Sequence, residues 1–107
     1  AGNKHLAVTI ALTNNTPIKS VGAGTIIFSD WTPSSGYVVI VRHKDDILSV
    51  YKNAASVTKS QGNIVRSGEV IALAGNANNV QNSGATLHFE LWKDGFPIDP
   101  TQFINFN

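Results

Sequence analysis

What most limits the folds open to this chain is its punctuation. Short runs of Val, Ile, Leu and Phe recur between Gly, Asn, Asp and Ser, and helical periodicity is almost absent. That is the pattern of an all-β domain. Strands are predicted at HLAVTIAL (5–12), PIKSV (17–21), GTIIFSD (24–30), GYVVIVRH (36–43), DILSVYKN (46–53), EVIALAG (69–75) and ATLHFELW (85–92), about seven in all. Between them, TPSSG (32–36), HKDD (43–46) and KDG (93–95) carry turn chemistry, and the strands flanking Asp45 and Asp46 are expected to be antiparallel. NAASVTKSQG (53–62) reads as a short helical turn or irregular crossing. Asp99, Pro100 and Gln102 fit an N-cap, a first-turn proline and an N3 acceptor, so a short helical turn is expected near the C-terminus.

In the seventh strand, alternation groups Leu87, Phe89 and Leu91 on one face and Thr86, His88, Glu90 and Trp92 on the other. A lone strand histidine is commonly a hydrogen-bonded, half-solvated residue, so the rest of the chain has to decide whether His88 does more. His5 opens the first strand and His43 ends the fourth, where alternation puts it in a row with Tyr37, Val39 and Val41. The Asn- and Gly-rich stretch 75–84, with Asn76, Asn78, Asn79 and Asn82, reads as a loop that could line a groove beside the His88 strand.

Charge narrows the function classes. Eight Lys plus Arg against seven Asp plus Glu leave a net charge of +1, and no basic stripe is present, which argues against a nucleic-acid surface. No stretch approaches the roughly 20 apolar residues needed to span a bilayer. With no cysteine, thiolate metal sites and disulfide frameworks are excluded. At 107 residues the chain is read as one domain, 1–107. The absence of methionine points to a piece of a longer product, with any targeting segment upstream.

HLAVTIALTNNTPIKSVGAGTIIFSDW, GYVVIVRH, SVYKN, GNIVRSGEVIALAGN and SGATLHFELWKDGFPIDPTQFI together resemble, in order and spacing, the LytM/lysostaphin-type zinc metallopeptidase domain, which acts on the peptide bridges of bacterial peptidoglycan. The resemblance implies an antiparallel β-sandwich of the duplicated-hybrid-motif type, the C-terminal part of a longer envelope protein, in a periplasmic or extracytoplasmic setting. It also implies a ligand set. His5 and His88 match zinc-ligand positions and His43 a catalytic histidine, whereas Thr9 stands where the carboxylate ligand belongs and Thr86 where a second catalytic histidine belongs.

These departures carry physical weight. A catalytic zinc takes three protein ligands from imidazole, thiolate or carboxylate, and a threonine hydroxyl is uncharged and a poor donor. Loss even of a partner behind a ligand typically costs about 10- to 100-fold in affinity or activity, and a positioned acid or base contributes roughly 10²- to 10⁴-fold in rate. Glu90, Asp30, Asp45 or Asp46 could in principle supply a substitute carboxylate. Glu90 shares the His88 face, yet it reads better as a charged partner behind that histidine. The expectation is therefore a degenerate peptidase-like domain with no zinc or weakly bound zinc. It would bind peptidoglycan peptide or an envelope protein such as a cell-wall hydrolase, without nucleic-acid or membrane contact of its own. The alternatives are an active zinc endopeptidase with an altered ligand set, or a spacer whose groove does nothing. Trp31, Tyr37, Tyr51 and Trp92 are candidate groove aromatics, although strand aromatics are more often core.

Overall fold

A computed structural model describes residues 7–75 and 85–100. Its elements are β1 (Ala7–Leu12), β2 (Pro17–Lys19), β3 (Gly24–Thr32), β4 (Gly36–Arg42), a 3-10 turn at Lys44–Asp46, β5 (Ile47–Val57), β6 (Ile64–Val65), β7 (Val70–Ala74), β8 (Ala85–Lys93) and β9 (Phe96–Ile98). Every strand pairing is antiparallel, and the all-β antiparallel expectation holds.

The main sheet has the order β1-β8-β5-β4-β3-β6, with β2 and β7 paired off this path. β5 connects the two groups: its first half pairs with β8 as far as Lys52 opposite His88, and its second half pairs with β7 from Ala54 opposite Ala74. Asn53 makes the change of partner possible. Its φ is 70°, a left-handed conformation that asparagine tolerates better than most residues, and its amide donates to the Ser35 carbonyl at 2.8 Å.

The core lies on the face of β8 that carries Leu87, Phe89 and Leu91, all buried, whereas Thr86 is exposed and His88, Glu90 and Trp92 are half-buried. Cross-strand register carries this face through Tyr51 and Val39, and through Ser49 and Val41. Ile18 of β2 and Ile71, Ala72 and Ala74 of β7 join the same cluster from the smaller layer.

Two expectations change. The segment after Asn53 is not helical: β5 runs on to Val57, because Ala54 is fully buried and the strand finds a new partner in β7, and only residues 58–62 form the turns. Two short strands went unforeseen. β6 pairs with the start of β3, and β9 closes the Asp94-Gly95 hairpin, whose φ values of 52° and 83° suit a two-residue turn. Of the C-terminal turn, Pro100 is buried and enters a 3-10 turn, while Gln102 lies outside the described residues.

Glycine is required at one crossing. A Cβ on Gly24 would stand 2.3 Å from the Arg42 carbonyl oxygen and 2.8 Å from a Val41 methyl. Both neighbours belong to the sheet and cannot swing aside, so Gly24→Ala is expected to cost about 1–3 kcal/mol in chemical denaturation. Unchanged stability would mean that β3 and β4 separate more readily than this register implies.

Candidate functional site

The half-polar face of β8 builds a cleft. Direct cross-strand pairs put side chains on one face, so Thr9 of β1, His88 of β8 and Lys52 of β5 form a row across three strands. Together with Thr86, Asn53 and the Ser34-Ser35 turn they line a cleft of about 370 Å³. Asn53 forms part of its wall: Nδ2 donates to the Thr86 carbonyl and to Thr86 Oγ1, both at 2.9 Å. The left-handed corner that redirects β5 is therefore also a cleft residue.

Glu90 sits behind this row, with its side chain 15% exposed. One carboxylate oxygen accepts from the Lys52 ammonium at 3.0 Å and from His88 Nε2 at 3.2 Å, and the other accepts from the Trp92 indole N–H at 3.0 Å. Burial alone would raise the Glu90 pKa. The Trp92 and Lys52 hydrogen bonds and the Lys52 and His88 charges outweigh it, and the net shift is downward. Glu90 is thus ionised near neutrality, so His88 Nε2 is the donor in their hydrogen bond.

The sign of this shift sets a pH dependence. A carboxyl whose folded pKa lies below its ordinary 4.5 adds stability above that value and loses it as pH falls through the folded value. Glu90→Gln is therefore expected to be less stable than wild type at pH 7, with the gap closing as pH falls below 4.5 and through the folded value. Denaturation at a series of pH values checks this; a gap that does not narrow anywhere on the acid side of 4.5 would mean that the Glu90 charge is not what matters.

His43 lies elsewhere. Val41 pairs with Ser49 on the core face, and His43, two residues on, follows that face: Nδ1 donates to the Ala23 carbonyl at 2.8 Å and Nε2 is hydrogen-bonded with Ser49 Oγ at 2.7 Å. Ser49 is fully buried and lies within hydrogen-bond reach of the buried Tyr51 hydroxyl, which in turn accepts the Val21 N–H at 3.0 Å. Burial pushes the Tyr51 phenol above its usual pKa despite these bonds. His43 thus ties the Val21–Ala23 segment to β5. The resemblance implied that His43 serves as a catalytic histidine beside the His88 ligand position, and this is corrected: the sheet lies between them.

The other candidate residues fall into place around this result. Thr9, Thr86 and His88 come together, with Glu90 behind them. His5, Asn76, Asn78, Asn79 and Asn82 lie outside the described residues. Asp30, Asp45 and Asp46 do not line the cleft, and Asp46 is taken up by Arg42 at 3.1 Å. Tyr51 is core, and none of the four candidate aromatics lines the cleft. Lys52 and Asn53 were missed. The signal for them was the β alternation of SVYKN, which carries Lys52 onto the His88 face, and an asparagine where β5 has to bend.

The donors of this cleft can be set against the needs of zinc. His88 is the one imidazole among them. Thr9 and Thr86 offer neutral hydroxyls, Asn53 an amide, and Lys52 an ammonium that opposes a second cation. Among the described residues no three His, Cys, Asp or Glu side chains group closely enough to hold a metal. The described cleft residues do not fit a zinc centre.

Comparison with known proteins identifies the matching family model as peptidase family M23, over residues 3–100. Stage II sporulation protein Q of Bacillus subtilis is 35% identical over 78% of this chain and 29% of its own length. The DD-carboxypeptidase/endopeptidase Mpg of Neisseria meningitidis serogroup B is 30% identical over 90% of the chain and 22% of its own length. The murein hydrolase activator EnvC of Escherichia coli is 30% identical over 89% and 22%. The chain thus spans under a third of each of these relatives. Among solved structures, the SpoIIQ-SpoIIIAH pore forming complex matches with TM-score 0.69 and 34% identity over 78% of this chain and 53% of that one. A zinc containing peptidase from Vibrio cholerae matches with TM-score 0.78 and 27% identity over 89% and 29%.

Proposed function

We propose, from the premise that this chain belongs to peptidase family M23, that it is a non-catalytic member whose cleft binds cell-wall peptide or a protein partner in the bacterial envelope. The observation that carries this reading is the row Thr9, His88, Lys52: one imidazole flanked by a neutral hydroxyl and a fixed cation. A hydrolytic zinc needs more imidazole or carboxylate donors around an open position. The relatives support a regulatory role in their own names, a murein hydrolase activator and a sporulation protein solved in complex with a partner. The same likeness supports an extracytoplasmic location.

A second reading, a zinc endopeptidase with an unfamiliar ligand set, is favoured by the Mpg likeness and by the presence of the His88 imidazole in the cleft. Zinc titration and a cell-wall digestion assay separate the two. The expected result is weak or no zinc uptake and no chelator-sensitive digestion. One tightly held zinc per chain together with chelator-sensitive digestion would overturn the non-catalytic reading.

A further inference from the structure

Resting on the non-catalytic reading, we infer that the cleft takes an anion instead of a metal: the carboxylate of a peptide, held by Lys52. The argument starts from which groups face the opening. Lys52 and His88 line the cleft, whereas Glu90, which anchors both, does not. A ligand therefore meets an ammonium and an imidazole, with the balancing carboxylate behind them. Lys52 has three N–H donors, and its ion pair with Glu90 engages one oxygen.

Hydroxyl orientation supports the same polarity. Asn53 Nδ2 donates to Thr86 Oγ1, so that oxygen is already an acceptor and its own proton is directed elsewhere. Thr9 is exposed on the far side of His88, and Ser34 and Ser35 close the rim. A carboxylate suits this set because it only accepts and carries one charge. A phosphate dianion suits it less. No arginine lines the cleft, one ammonium is the only fixed cation lining it among the described residues, and Glu90 would repel a second negative charge. At about 370 Å³ the cleft lies near the lower end of ligand pockets, which run from roughly 300 to 1,000 Å³. That suits the end of a peptide.

The test is an NMR titration of the 107-residue chain, with chelator present, against a short peptide with a free C-terminal carboxylate, its C-terminal amide, and inorganic phosphate. The free acid is expected to shift the Thr9, Lys52, Thr86 and His88 resonances and to saturate. The amide is expected to bind about tenfold more weakly, the scale of one charge-assisted hydrogen bond, and phosphate more weakly than the acid. Lys52→Gln should lose about the same factor. Because that change strands Glu90, the double variant Lys52→Gln with Glu90→Gln is measured as well, with its melting curve, and should show the same loss in a folded protein. Equal affinity for acid and amide, tighter binding of phosphate, or undiminished binding by both variants would overturn the inference. A parallel arm with zinc and no chelator follows the peptide by mass. Cleavage there would overturn the non-catalytic reading, whereas an intact peptide that also fails to bind overturns the carboxylate inference alone.

Discussion

Truncating Phe89 to alanine is expected to cost about 3–5 kcal/mol, a large share of the roughly 5–15 kcal/mol that holds a domain of this size. The ring is 1% exposed and packs against Tyr51 with centroids 5.3 Å apart and planes tilted by 54°. It also sits between neighbours that face the other way. Phe89 anchors β8 between β1 and β5, and His88 and Glu90, one residue to either side, present the cleft face. A cavity there loosens the strand that carries the site. Urea denaturation measures the loss, with Phe96→Ala as the comparison: that ring is 72% exposed and its removal is expected to change stability by no more than about 0.5 kcal/mol. A loss below about 1 kcal/mol for Phe89→Ala would show that the core is not organised around β8.

The legible parts of the fold were those governed by alternation. In β8 the sequence pattern and the burial pattern agree residue for residue from Ala85 to Leu91, because a two-residue period leaves no other way to bury Leu87, Phe89 and Leu91 together. What could not be read was pairing. β6 is two residues long and exists because Gly24 and Thr25 offer it an edge, and β5 continues past Asn53 because β7 is there to receive it. Neither partner is visible in a local window. The site followed the same division. Thr9, Thr86 and His88 fall together as the family resemblance implied, since β1 and β8 are neighbours with Thr9 opposite His88. His43 failed because its place depends on a face: its row with Val39 and Val41 was read correctly, yet that row is the buried one, opposite His88. The same alternation argument, applied to SVYKN, would have put Lys52 on the face opposite Tyr51, but its place beside His88 came only with the β5–β8 register.

Placing a carboxylate at position 9 is expected to raise zinc affinity by an order of magnitude or more, in line with the cost of losing coordination partners. Thr9 faces His88 directly across β1 and β8, so Thr9→Asp puts a charged donor beside the imidazole. Lys52 flanks the same imidazole from β5 and opposes the ion. Adding Lys52→Ala to Thr9→Asp is therefore expected to raise affinity again, which a merely local effect at position 9 would not do. Hydrolysis is a different demand. Thr86→His adds one proton-handling group to the cleft, but His43 cannot be the second from the far face of the sheet, where Ala23 and Ser49 already hold it. The expected outcome for Thr9→Asp with Thr86→His is zinc uptake without cell-wall digestion, since a missing acid or base alone removes roughly 10²- to 10⁴-fold in rate. Zinc titration and a digestion assay on wild type, Thr9→Asp and the two double variants read both quantities. Wild-type zinc affinity already equal to that of Thr9→Asp would mean that position 9 is not a ligand position, and digestion by the Thr9→Asp, Thr86→His protein would mean that one histidine in this cleft suffices.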